Sequence, residues 1–167
     1  MSDDVTLRDA TRADAEAIQR VARDSCHAVY DSIFGSDRTT EIVETWYAPE
    51  TLVSDDIDPD ERPFFVAEVD GRVVGFVEGI PDEDGQTANL YRIYIVPDHW
   101  GDGVGGALLD RLESVFAARG FDRLLVSVLA DNETGVGFYE AVGFEHVETV
   151  RDEQFDVKRA KYAKPLP

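Results

Sequence analysis

The residues of this chain whose spacing most clearly permits chemistry lie between Leu90 and Leu109, Leu-Tyr-Arg-Ile-Tyr-Ile-Val-Pro-Asp-His-Trp-Gly-Asp-Gly-Val-Gly-Gly-Ala-Leu-Leu. A β-rich run gives way to Gly101, Gly103, Gly105 and Gly106, and a helical pattern follows at once. That order makes an anion cradle. Glycines let the backbone approach a ligand closely, and the N–H groups of a first helical turn have no partner of their own. The helix dipole adds roughly half a positive charge at the same point. A phosphate suits such a cradle, and a chain with a formal net charge of −19 has particular need of a backbone device to hold one. By letter, Gly101 to Gly106 also fit the dinucleotide pattern G-x-G-x-x-G. That pattern expects several further strand–helix units, whereas the remaining sequence holds a single further helix.

The elements that must position this loop can be read from periodicity and turn residues. Val5 to Arg8 reads as a strand, and Thr11 to Asp14 as a capping box opening a helix that runs to about Tyr30. Gly35 and Ser36 break it, and Thr39 to Trp46 reads as a second helix. Ala48 to Pro63, acidic and Pro-containing, reads as a loop. Phe64–Val69, Asp70-Gly71 and Arg72–Ile80 form a hairpin pattern, because Asp-Gly supplies the positive φ angles of a two-residue turn. Thr87–Val96 is a further strand, Ala107–Arg119 a helix capped by Gly120, and Leu124–Leu129 a buried strand. A short helix over Thr134–Val142 and two strands, Phe144–Val150 and Phe155–Tyr162, complete the order βαα-βββ-αβ-αββ. The expectation is an α/β mixed sheet with helices packed on it.

A second segment joins the first: Asn132-Glu-Thr-Gly-Val-Gly-Phe-Tyr139-Glu-Ala-Val-Gly143-Phe144. Together the two resemble the signatures of the GCN5-related N-acetyltransferase (GNAT) family. Its later motif, N-x-x-(A/G)-x-x-x-Y-x-x-x-G-F, is met in full by Asn132, Gly135, Tyr139, Gly143 and Phe144. Its cofactor motif, (Q/R)-x-x-G-x-(G/A), is met at Gly103 and Gly105, with Trp100 at the Gln/Arg position. The resemblance implies one N-acetyltransferase domain over residues 1–167, with a mostly antiparallel sheet of about 6–7 strands flanked by about 4 helices. It implies acetyl transfer from acetyl-CoA to a primary amine, with no metal. In that family the strand before the loop splays from its neighbour, which places the pantetheine arm on the backbone of Ile93, Tyr94 and Ile95. The diphosphate would lie on Gly101, Asp102, Gly103, Val104, Gly105 and Gly106, and Asn132 would bond the cofactor arm. Tyr139 would protonate the departing thiolate, a role suited to a hydroxyl with a pKa near 10. The oxyanion would rest on the Ile95 amide.

Departures from the pattern bear on the base. Asn89 and Ser127 stand where many members carry Glu, and neither accepts a proton from an ammonium. Glu78, on the preceding strand, is the first candidate, a solvated strand residue being its other reading. Asp102 occupies a loop position usually held by Lys or Arg.

Composition bounds the rest. The 167 residues suit one domain, and no apolar run reaches the roughly 18 residues of a membrane span. The acidic start, Met1 to Ala10, lacks the apolar stretch of a secretory signal, so a cytoplasmic location is expected. The 35 acids outnumber 16 bases, which opposes nucleic-acid binding, and 21 of those acids are Asp. With 13 Arg but only 3 Lys, the chain fits a salt-adapted, halophilic cytoplasm. Cys26 is the single cysteine and reads as a buried structural residue, since adjacent helical residues such as His27 do not face it. Trp46, Tyr30 and Phe34 fit either core or the wall of an acceptor pocket. Lys158, Arg159, Lys161 and Lys164 read as compensation for nearby acids. The acceptor, small molecule or peptide, stays open among protein N-termini, polyamines, amino acids and antibiotics, and a homodimer is left open. The other function class is a non-catalytic module that binds acetyl-CoA as a sensor.

Overall fold

Near-continuous apolar runs at Phe64–Val69 and Arg72–Pro81 build strands β2 and β3, buried on both faces and joined by Asp70 (φ 53°) and Gly71 (φ 79°) as the hairpin pattern requires. In the computed structural model, which describes residues 4–154 and 156–167, this hairpin lies within a seven-stranded sheet. The other strands are β1 (Val5–Asp9), β4 (Thr87–Ile95), β5 (Arg123–Leu129), β6 (Glu145–Asp152) and β7 (Val157–Pro165). Their spatial order is β1-β2-β3-β4-β5-β7-β6, and every neighbouring pair is antiparallel except β4 and β5. Phe155, where the last strand was expected to begin, lies outside the described residues; β7 starts at Val157.

Helices cover both faces. On one, α3 (Val104–Ala118) presents Leu108, Leu109, Leu112 and Phe116 to Val77, Leu90 and Leu124, with α4 (Glu133–Ala141) beside it. Full burial of each such side chain contributes roughly 1.5–3 kcal/mol. On the other face, α1 (Ala15–Phe34) and α2 (Ser36–Trp46) pack Ile18, Val21, Ala22 and Val43 against Val66, Val73 and Phe76. The Thr11 amide donates to the Asp14 carboxylate at 2.7 Å, the expected box, and Gly35 (φ 87°) ends α1 four residues past Tyr30.

One expectation is corrected. The stretch after Ala48 is a loop only over residues 58–63: Pro49–Thr51 forms a helical turn and Leu52–Ile57 a π-helical one, with the Asp58 amide bonded to the Val53 carbonyl at 2.9 Å. Leu52 is fully buried in the α1-side core and Ile57 packs on it. Two apolar residues five apart do not fit a 3.6-residue period, so the acidic letters between them dominated the pattern.

Candidate active site

The site begins with an irregularity in β4. Glu78 of β3 faces Arg92, but the next residue, Gly79, faces Leu90, so Tyr91 is an extra residue and β4 bulges there. A bulge of one residue exchanges the faces of a strand. Ala88 and Leu90, before it, pack toward α3; beyond it Ile93 and Ile95 do so, while Tyr94 joins the α1-side core. Pairing with β5 stops at the same place, the last pair being Leu90 with Val126, and β5 continues alongside β7. From Tyr91 to Ile95 one edge of β4 is therefore free of a strand partner.

Which amides this edge exposes follows from the ladder. The Val96 amide bonds the Val74 carbonyl at 2.9 Å, and orientation alternates along an antiparallel pair. Tyr94 thus turns its amide to β3, while Ile93 and Ile95 turn theirs to the open edge. The Ile95 carbonyl on that side accepts from the Ser25 hydroxyl and the Trp100 indole N–H, each at 2.8 Å. Trp100 thereby ties the glycine loop to the end of β4.

The loop is built as its residues demand. Gly101 (φ 84°) and Gly103 (φ 85°) hold left-handed conformations, and Gly103 caps α3. The first helical bond runs from the Ala107 amide to the Gly103 carbonyl, leaving the amides of Val104, Gly105 and Gly106 without helical partners. Space is open where a Cβ on Gly101, Gly103 or Gly106 would stand, whereas one on Gly105 would press 3.0 Å from Phe138. Gly105 is thus a packing glycine, and the others border open space. The Asp102 carboxylate is exposed and pairs with His99 at 3.2 Å.

Asn132 caps α4, its carbonyl oxygen accepting the Gly135 amide at 2.8 Å. A Cβ on Gly135 would lie 2.7 Å from the Asn132 amide nitrogen, which explains the glycine there. Tyr139, 8% exposed, lies edge-on to Phe138 and Phe144 at 5.5 and 5.6 Å. Burial raises its hydroxyl pKa above the ordinary value, so it stays protonated.

These residues share one cleft of about 900 Å³. Ile93, Tyr94, Ile95, Gly101, Gly103, Val104, Gly105, Gly106, Asn132 and Tyr139 all line it, as do Tyr30, Phe34, Trp46 and Cys26. Trp46 is half exposed, so it is wall rather than core. Burial pushes the Cys26 thiol up to about 12, an inert group. Glu78 is not brought to the cleft. It is 0% exposed, 3.4 Å from Arg62 and 3.9 Å from Arg92, and burial beside Asp56 pushes its carboxyl up to about 9. Spacing in the sequence did not single out Arg92, which lines the cleft. An arginine in a β-run carries no signal of which face it occupies, least of all next to a bulge.

Comparison with known proteins accords with this geometry. The chain matches the sequence profile of the Acetyltransferase (GNAT) family over residues 23–144. Among solved structures, the PaiA N-acetyltransferase from Thermoplasma acidophilum, in complex with coenzyme A, superposes with a TM-score of 0.85 at 23% identity, over 95% of this chain and 98% of that one. An N-acetyltransferase from Staphylococcus aureus Mu50 gives 0.72 at 23% identity, over 98% and 99%. The ribosomal-protein-S18-alanine N-acetyltransferase from Escherichia coli gives 0.69 at 18% identity, over 98% and 94%. At these identities the structural likeness is one of fold, and the profile match adds the family. The profile match spans most of the sequence, and the chain therefore belongs to the Acetyltransferase (GNAT) family.

Proposed function

We propose that this protein moves an acetyl group from acetyl-CoA to a primary amine by direct attack, with Tyr139 as the general acid. The observation that carries this reading is the convergence on one cleft of the free β4 edge, the unpaired amides at the head of α3, and the Tyr139 ring. Acetyl-CoA would supply a thioester whose carbonyl carbon the amine attacks. The open space over Gly101, Gly103 and Gly106 fits a diphosphate resting on backbone N–H groups. Asn132 spends its carbonyl on the helix cap and one amide hydrogen on the Tyr30 hydroxyl, and its second amide hydrogen is the donor offered to the cofactor arm. The Ile95 amide, aimed at the open edge while its carbonyl is tethered twice, is a fixed donor for the oxyanion. The Tyr139 hydroxyl, held protonated by burial, gives its proton to the thiolate as it leaves. Among the described residues no carboxylate lines the cleft, and Glu78 stands enclosed and protonated at neutral pH. The acceptor therefore loses its ammonium proton to solvent before attack.

Thiol release over a panel of amines, with calorimetric titration of acetyl-CoA, tests this. Turnover that rises with pH until the acceptor's own pKa is expected. Tight acetyl-CoA binding without turnover of any amine would instead favour a non-catalytic module, a reading that the absence of a lining carboxylate keeps in view.

A further inference from the structure

The cleft differs in charge from the molecule that contains it. The chain carries 35 acids against 16 bases, yet among the described residues no Asp or Glu lines the cleft, and its charged residues are Arg92 and Arg159. Arg159 is engaged with Asp152 at 2.9 Å. Arg92 is differently placed. It is 9% exposed and its guanidinium lies between the rings of Tyr47 and Tyr91, with centroids at 4.4 and 4.5 Å. One terminal nitrogen donates to the Tyr91 hydroxyl at 3.1 Å; the other, Nη1, is buried with no hydrogen-bond partner among the described residues.

A buried donor left unmade costs free energy, and more when it is charged. The acids facing Arg92 do not meet that cost. Glu78 of β3 approaches only to 3.9 Å of Nε, and Asp56 of the π-helical turn is paired with Arg62 at 3.0 Å. With Glu78 protonated beside Asp56, the cluster of Asp56, Arg62, Glu78 and Arg92 carries one uncompensated positive charge, that of Arg92. Phe34, Ile42, Trp46 and Tyr47 of the α1–α2 side and Tyr91 complete an apolar surround at this end of the cleft. A polyamine would find there a cation and no anion.

Building on the acetyl-transfer reading, we propose that the acceptor is an amino carboxylate with an apolar or aromatic body, its carboxylate held by Arg92 and its body by Trp46, Tyr47 and Tyr91. The planar fork of an arginine suits a carboxylate, and a charge-assisted hydrogen bond in so buried a place contributes more than a neutral one.

The test uses ligands of one body and different charge. L-phenylalanine and 2-phenylethylamine differ by the carboxylate alone, and spermidine adds cations. Thiol release should favour L-phenylalanine over 2-phenylethylamine by roughly 10- to 100-fold in kcat/KM, the range set by one hydrogen bond to a charged group. Spermidine should be the poorest. Arg92→Gln should bring the first ratio close to one, while calorimetry shows acetyl-CoA affinity unchanged. Equal or better use of 2-phenylethylamine or spermidine by the native protein would overturn the proposal without recourse to any variant. A separate arm needs no turnover: 3-phenylpropionate, which lacks an amine, should bind the CoA-loaded protein, and 2-phenylethylamine should bind far more weakly. Failure of 3-phenylpropionate to bind would overturn the carboxylate subsite. Its binding without turnover of any amine would overturn acetyl transfer and leave the subsite standing.

Discussion

The two ends of the cleft offer a ligand different kinds of contact. At the α3 end the contacts available are backbone amides: Val104, Gly105 and Gly106 in the loop, Ile93 and Ile95 on the strand edge. The one charged side chain within that loop, Asp102, is an acid turned to solvent and to His99. At the α1–α2 end the contacts are side chains, a buried arginine between two aromatic rings. Backbone donors carry no formal charge and keep their geometry whatever residues cover the surface, so an acidic exterior can surround an anion site without cancelling it. A side-chain site depends on what lies behind it, and Arg92 keeps its charge available because Glu78 is protonated and Asp56 is taken by Arg62. Tyr139 lines the same cleft.

The largest effect should come from Tyr139. Tyr139→Phe is expected to lower kcat by roughly 10²- to 10⁴-fold with acetyl-CoA affinity unchanged, as for loss of an acid catalyst. An unchanged rate in a stopped-flow or thiol-release assay would remove Tyr139 from the chemistry. Next is the backbone end. Gly103→Val puts a β-branched residue at φ 85°, where only glycine sits without strain, but meets no neighbouring atom. The fold should survive, and calorimetry should show acetyl-CoA bound about 10- to 100-fold more weakly, the equivalent of one to a few kcal/mol of misplaced backbone. Native affinity would mean that the diphosphate lies elsewhere.

Salt sharpens the comparison further. Raising KCl from about 0.1 to above 1 M contracts the Debye length from about 10 to 3 Å and screens repulsion among the acids. Melting temperature and acetyl-CoA affinity should both rise, because backbone amides close to the phosphate are screened less than distant carboxylates. A fall in both would count against salt adaptation and against backbone-led phosphate binding together.

The smallest expected effect concerns Glu78. Its carboxyl titrates near 9 in the folded protein against an ordinary 4.5, so between these values the folded state holds one more proton than the unfolded. Stability of the native chain then falls as pH rises through that window. Glu78→Gln removes the linkage, so the variant should gain on the native protein with rising pH, by at most about 1.4 kcal/mol per unit. That corresponds to roughly 3–5 °C in Tm for a chain of this size. Parallel melting curves from pH 6 to 8 would show that Glu78 is ionised, and Arg92 would then have a counter-charge of its own.

Much of the scaffold was legible because its signals are local. Asp70-Gly71 can form its turn with no help from the rest of the chain, Gly103 and Gly120 stand at helix ends where a positive φ is required, and Asn132 caps the helix that begins one residue later. The motif from Asn132 to Phe144 owes its spacing to one helix and its C-terminal turn: Gly135 yields to the Asn132 side chain, and Tyr139 and Phe144 meet edge to face. What the sequence by itself determined, then, was the order of elements, the glycine loop at the head of α3 and the place of Tyr139 on the following helix, all products of interactions within a few residues. Tertiary structure alone decided the rest. The bulge at Tyr91 arises from pairing with β3 and sets which face Arg92 and Tyr94 occupy. The π-helical turn over Leu52–Ile57 exists because the α1-side core takes up Leu52. Glu78 is enclosed by groups that come from positions 56, 62 and 92, and the cleft is free of acids although the chain is full of them. Protonation and charge balance are sums over neighbours in space, and residues far apart in sequence supply most of those neighbours.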